Sequence, residues 1–165
     1  MCKGRIKYLV MDVDGTLTDG KIYMGNDGEV MKAFSIKDGY GIHDILIPKG
    51  IIPIILTGRK SNIVYNRCLE MGIKDIYQGI NNKLETLLNI VNDLSLVAYI
   101  GDDLNDLSCM IEIKKAGGII ACPKDATRKV REMAEYIASH DGGNGAVRDF
   151  IEWLLGCECK LYCNR

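Results

Sequence analysis

Four short apolar runs recur along the chain, at residues 6–11 (IKYLVM), 51–56 (IIPIIL), 96–100 (LVAYI) and 118–121 (GIIA). The runs that begin at Ile51 and Leu96 have no polar position to leave in water, so they predict parallel strands covered on both faces. Between the runs, residues 38–48, 61–71, 82–94 and 104–114 carry helical spacing. In the third of these, Leu84, Leu87, Leu88 and Val91 fall on one helix face. Strand, helix and strand in alternation predict an α/β fold built on a doubly wound, Rossmann-like, mostly parallel sheet.

One stretch interrupts the alternation. Residues 20–34 (GKIYMGNDGEVMKAF) read as two short strands around Asn26-Asp27-Gly28, a β-hairpin insertion directly after the first strand. Near the other end, Asp141-Gly142-Gly143-Asn144-Gly145 predicts a flexible loop before a final helix over 146–155. The expected organisation is one domain over residues 1–155 and a cysteine-containing tail over 156–165.

Composition narrows the function classes. A chain of 165 residues suits a single domain with one active site, and 47% apolar with 26% charged residues is ordinary for a globular protein. The 21 basic and 22 acidic residues are interleaved, so there is no electrostatic footprint for nucleic acid. No apolar run approaches the roughly 20 residues of a membrane span, and a cytoplasmic protein is expected. Of the seven cysteines, Cys2, Cys68, Cys109 and Cys122 are scattered and read as reduced thiols. Cys157, Cys159 and Cys163 cluster in the tail, where a thiolate metal site would still need a fourth ligand.

The candidate chemistry lies at strand ends. The first strand runs into Asp12-Val13-Asp14-Gly15-Thr16, and ligands of open α/β sheets sit beyond the carboxyl ends of strands. Two acids at a turn are by themselves a weak signal. A second group, Gly101-Asp102-Asp103-Leu104-Asn105-Asp106, follows another buried strand, and so dense a set of carboxylates repels itself unless a cation neutralises it. Hard oxygen ligands with room for water and phosphate favour Mg²⁺ over Zn²⁺. A third strand ends in Thr57-Gly58-Arg59, which offers a hydroxyl, a backbone N–H and a guanidinium to phosphate oxygens. Lys83, at the start of a helical segment, could bring an ammonium to the same rim.

These four segments, in this order, resemble the motifs of the haloacid dehalogenase (HAD) superfamily of phosphohydrolases. The similarity is closer to a small branch without a cap domain whose substrates are phosphates of acidic eight- and nine-carbon sugars. It extends through Leu17-Thr18-Asp19-Gly20, Lys37-Asp38-Gly39-Tyr40-Gly41-Ile42, Gln78-Gly79 and Gly142-Gly143-Asn144-Gly145-Ala146-Val147-Arg148. The resemblance implies that Asp12 is a nucleophile forming an aspartyl-phosphate and that Asp14 is the general acid and base. It implies Mg²⁺ held by Asp12, the Asp14 backbone carbonyl and Asp102, with Asp103 and Asp106 in support. Thr57, Gly58 and Lys83 would bind the phosphoryl group, and Arg59 and Arg148 the substrate. It implies further a homotetramer whose contacts use the hairpin. Thr16 stands where close relatives often carry valine, and the tail after residue 155 matches no pattern of the family.

Arg59 favours an eight-carbon sugar phosphate, because relatives acting on nine-carbon substrates can carry an acid there, and a guanidinium could pair with the sugar carboxylate. Two other classes remain open on the sequence. One is a catalytically silent HAD-like domain serving assembly with a cytidylyltransferase, although the catalytic groups are all present. The other is a receiver-like domain, which would carry its phosphoacceptor on a middle strand. His43 and His140 have no metal-ligand spacing, and Trp153 reads as packing.

Overall fold

The computed structural model describes residues 6–156. Its main sheet has six strands: β1 (Tyr8–Met11), β4 (Ile52–Thr57), β5 (Asp75–Gln78), β6 (Val97–Ile100), β7 (Ile119–Cys122) and β8 (Tyr136–Ile137). They lie in the order β5-β4-β1-β6-β7-β8, and every pairing is parallel. Strand β1 is central, with Met11 opposite Ile55 on one side and Ile100 on the other.

Alternation along the strands divides the core in two. Leu9 and Met11 of β1 join Ile55, Ala98 and Ile100 on one face, and Val10 joins Ile54, Leu56 and Tyr99 on the other. The first face is covered by α1 (Ile36–Tyr40) with its continuation, α2 (Asn62–Glu70) and α6 (Ala146–Leu154). The second is covered by α3 (Lys83–Ile90), α4 (Leu107–Ala116) and α5 (Arg128–Met133). Both faces of the sheet are therefore covered, as the unbroken apolar runs require. Trp153 stacks on Tyr136 with ring centroids 4.6 Å apart, a packing role as expected.

The hairpin is present as β2 (Tyr23–Gly25) and β3 (Gly28–Met31), an antiparallel pair turning through Asn26-Asp27. A bridge between Thr18 and Phe34 closes its base. Among the described residues nothing larger is inserted between β1 and α1, so the fold is the expected one without a cap domain. No helix of the described residues is long and apolar enough to cross a membrane. Cys157, Cys159 and Cys163 lie outside the described residues.

Several boundaries differ from expectation for local reasons. The helix expected over 82–94 ends at Ile90, because Val91 is extended and the Asp93 side chain accepts from the Ser95 N–H to start a separate 3-10 turn. The segment 38–48 continues α1 through a π turn (Gly41–Leu46) and a 3-10 turn (Ile47–Lys49). Strands β5 and β8 were not legible as apolar runs. They lie at the two sheet edges and are at most half-buried.

Asp38 fastens α1 to the start of α6. It is 1% exposed, and its carboxylate accepts from the backbone N–H groups of Gly145 (3.2 Å) and Arg148 (2.7 Å) at the start of α6. Gly145, the N-cap of α6, has no side chain to do this. Replacing Asp38 by alanine leaves buried donors unpaired, so Asp38→Ala should cost about 2–3 kcal/mol and lower Tm by about 5–10 °C. Thermal and urea unfolding measure this, and a loss below about 0.5 kcal/mol would show that water replaces the carboxylate.

Candidate active site

Asp12 follows β1, and its N–H donates to the Ile100 carbonyl at 3.1 Å, which extends the sheet by one residue. Its side chain is almost wholly buried, at 4% exposed for the residue. Lys83 is the first residue of α3, and Asn82 caps that helix by accepting from the Glu85 N–H. This start places the Lys83 ammonium 2.5 Å from Asp12 Oδ1 and 2.7 Å from Asp106 Oδ1.

Asp106 is fully buried and engaged on both oxygens. Oδ1 also accepts from the Tyr99 hydroxyl at 2.7 Å, and Oδ2 accepts from the N–H groups of Asp102 (3.0 Å) and Asp103 (3.2 Å). Asp103 is exposed and caps the short turn over Leu104–Asp106. The Asp102 carboxylate lies beneath Gly15, where a β-carbon would stand 2.1 Å from Oδ2, and Gly15 has a φ of 94° that side-chain-bearing residues avoid. Thr16 donates its hydroxyl to Asp102 Oδ1 at 3.3 Å.

Asp12, Asp102 and Asp106 each offer an oxygen within 4.8 Å of the others. Four donors already occupy Asp106, so Asp12 and Asp102 are the pair left for a cation. Three carboxylates against one ammonium leave a formal excess of two negative charges, the charge of one divalent ion. The titration of the acids reflects that excess. Burial, then the Asp106 charge, raises Asp12 to about 6 despite the opposing Lys83. Burial, then the Asp12 and Asp106 charges, raises Asp102 to about 8. Burial works against the Lys83 charge, but the two carboxylates outweigh it and hold the ammonium above its ordinary value. Hard carboxylate oxygens with unbalanced charge fit Mg²⁺.

A pH dependence follows. Both acids titrate above the ordinary 3.8, so the folded, metal-free protein keeps protons that the unfolded chain has lost. Its stability should fall as pH climbs from about 4 to about 8, and bound Mg²⁺ should remove the penalty. The rise in Tm on adding Mg²⁺ should be larger at about pH 8 than at about pH 5.5. An equal or smaller rise at the higher pH would contradict this account of the site.

The other expected residues fall at the same rim, with one exception. Thr57 ends β4 beside β1 and is buried, and its carbonyl accepts from the Ile80 N–H at 3.2 Å. Gly58 follows it, and a β-carbon there would meet only ordinary contact with the Ile80 carbonyl. Asp14 pairs with Lys32 of the hairpin. Arg59 donates to Glu29 Oε1 at 3.2 Å, and Ser61 donates to Glu29 Oε2 at 2.6 Å. Arg148 lies elsewhere: its Nε is 2.5 Å from Glu152, and its guanidinium sits 5.3 Å from the centre of the Tyr40 ring. It lines a cavity of about 380 Å³ with Lys37, His140 and Gly145. His43 and His140 are exposed and pair with Asp44 and Ser139.

Sequence reading missed Glu29, Lys32 and Tyr99 as parts of the site. Glu29 and Lys32 meet partners 18 to 32 positions away, a separation no local spacing reveals. Tyr99 was visible only as one more apolar residue of β6.

Acids after two neighbouring strands, a lysine at a helix start and a threonine on a third strand end, all on one doubly wound sheet, define a phosphoryl-transfer site of the HAD class. Comparison with known proteins narrows the class. No family model matches the chain. The 3-deoxy-D-manno-octulosonate 8-phosphate phosphatase of Escherichia coli K12 is 42% identical over 160 residues, covering 94% of this chain and 82% of the relative. That of Yersinia pestis is 40% identical, with 94% and 83% covered. Among solved structures, the Moraxella catarrhalis phosphatase of that name, in complex with magnesium, phosphate and KDO, superposes with a TM-score of 0.86 at 39% identity. The alignment covers 94% of this chain and 88% of that one. A cobalt-bound Haemophilus influenzae homologue also gives 0.86, at 32% identity, with 94% and 91% covered. The chain belongs to the 3-deoxy-D-manno-octulosonate 8-phosphate (KDO-8-phosphate) phosphatase family.

Proposed function

We propose that this protein hydrolyses KDO-8-phosphate to KDO and inorganic phosphate through an aspartyl-phosphate on Asp12. The observation that carries the reading is the different treatment of two acids two residues apart. Asp12 is buried against Lys83, which can also meet a phosphoryl oxygen. Asp14 lies outward with 24% of its side chain exposed, where a leaving group can be met.

An Asp12 oxygen attacks phosphorus as the bond from phosphorus to the sugar oxygen breaks, and Asp14 gives its proton to that oxygen. Asp14 then takes a proton from water as the water attacks the aspartyl-phosphate, which releases phosphate and restores Asp12. Thr57, the Gly58 N–H and Lys83 hold the phosphoryl oxygens, and Asp103 and Asp106 fix the loop and the lysine. Asp12, the Asp14 backbone carbonyl and Asp102 would hold Mg²⁺, whose charge would offset that of the transferring group.

Arg59 supports an acidic eight-carbon sugar, since its side chain is two-fifths exposed at the rim. Arg148, whose guanidinium lies over the Tyr40 ring, is assigned a substrate contact on the resemblance alone. A homotetramer is supported by the hairpin, which leaves Ile22, Met24, Val30 and Met31 in water. A cytoplasmic place of action is supported by the free thiols of Cys68, Cys109 and Cys122. The test is kcat/KM with Mg²⁺ on KDO-8-phosphate against a nine-carbon 9-phosphate. The eight-carbon substrate should be preferred. A preference for the nine-carbon compound would overturn the substrate assignment, and no turnover of either would overturn the activity.

A further inference from the structure

Lys32 follows β3 in the hairpin, and its side chain is 0% exposed. A buried ammonium is stable only with partners, and both partners here are carboxylates: Asp14 Oδ1 and, at 3.1 Å, Glu29 Oε1. Glu29 is itself fixed by Arg59 and by Ser61, the residue that caps α2. A continuous set of bonds thus runs from the body of the domain through the hairpin to one oxygen of Asp14.

That arrangement has a use in catalysis. A carboxylate on a turn can rotate about its side-chain bonds, and a proton donor misplaced by about 1 Å can lose about 100-fold in rate. Lys32 takes one oxygen of Asp14 and so limits where the other can point. We propose that Lys32 is a positioning residue for the proton transfer of Asp14, and that the hairpin thereby belongs to the catalytic apparatus of its own chain. The inference rests on the reading of Asp14 as the general acid. The effect is one of aim: the proton still passes from Asp14 to the leaving oxygen, and Lys32 exchanges none.

The test uses a series of substituted phenyl phosphates of similar size and graded phenol acidity, with KDO-8-phosphate alongside. The quantity read is kcat/KM, which includes only steps up to departure of the leaving group. In Asp14→Asn the loss should grow as the leaving group becomes less acidic. Lys32→Met should show the same bias, losing about 10–100-fold on the poorest leaving group and less than about three-fold on p-nitrophenyl phosphate. Lys32→Arg should restore part of the loss, and Glu29→Gln should show a weaker bias. The inhibition constant of orthophosphate should stay near that of the parent, while the Tm of Lys32→Met should fall, because a buried ion pair loses its cation. If Asp14→Asn shows the bias and Lys32→Met lowers all substrates equally, Lys32 is a phosphate contact or a folding residue and the proposal fails. If Lys32→Met depresses only KDO-8-phosphate, it is a sugar contact and the proposal likewise fails. If Asp14→Asn shows no bias, the general-acid reading falls first and takes this one with it.

Discussion

Asp12→Asn should reduce kcat/KM on every phosphomonoester by at least about 10⁴-fold, because an amide cannot form the acyl phosphate proposed for Asp12. The same substitution should leave the fold intact. In the metal-free protein Asp12 is an acid whose ionised form is opposed by burial and by the Asp106 charge, so removing its charge relieves repulsion. Without Mg²⁺ at about pH 8 the variant should melt no lower than the parent, and the increment that Mg²⁺ adds should shrink. Retained turnover with retained folding would exclude Asp12 as the nucleophile. A variant that unfolds would instead exclude the electrostatic account of the cluster.

Lys83→Met should fail in both respects. Lys83 is 4% exposed and its ammonium lies between two buried carboxylates, and removing one member of a buried charged set costs about 3–5 kcal/mol. Activity should fall by about 100–1,000-fold as well, since the donor proposed to hold the transferring phosphoryl group goes with it. Lys83→Arg should recover little, because a planar guanidinium cannot occupy a site shaped around a point charge with bonds of 2.5 and 2.7 Å. Denaturant unfolding and kcat/KM measure the two losses. Activity within about ten-fold of the parent would remove Lys83 from the phosphate site.

The parts of this molecule that were legible in its sequence are those whose chemistry sits in one short segment at the end of an apolar run. Asp12, Thr57 and Asp102 each follow such a run, and a covered sheet brings strand ends to one edge whatever the loops do. Lys83 was legible through its place at a helix start. Less legible were groups defined by partners remote in the chain. Asp106 could be read as one more acid, but only its four donors show that it holds Lys83 in place. Lys32 and Glu29 looked like ordinary charges of a hairpin strand. Asp38 sat in a recognisable stretch without an evident job, because the helix it caps begins more than a hundred residues later. The edge strands β5 and β8 escaped notice because a strand with one neighbour need not be apolar throughout.

The loop over residues 141–145 rests directly on the turn that carries the two acids. A β-carbon on Gly142 would lie 1.9 Å from the Gly15 carbonyl oxygen, and the Gly143 N–H donates to the Thr16 carbonyl at 3.0 Å. Asp12 thus lies far ahead, in the order of synthesis, of the loop that supports its turn. During translation the acids leave the ribosome long before the backbone that holds their turn exists. A chain released before that loop carries every acid of the site yet lacks the backbone that shapes their turn, so activity itself certifies that synthesis has passed residue 145.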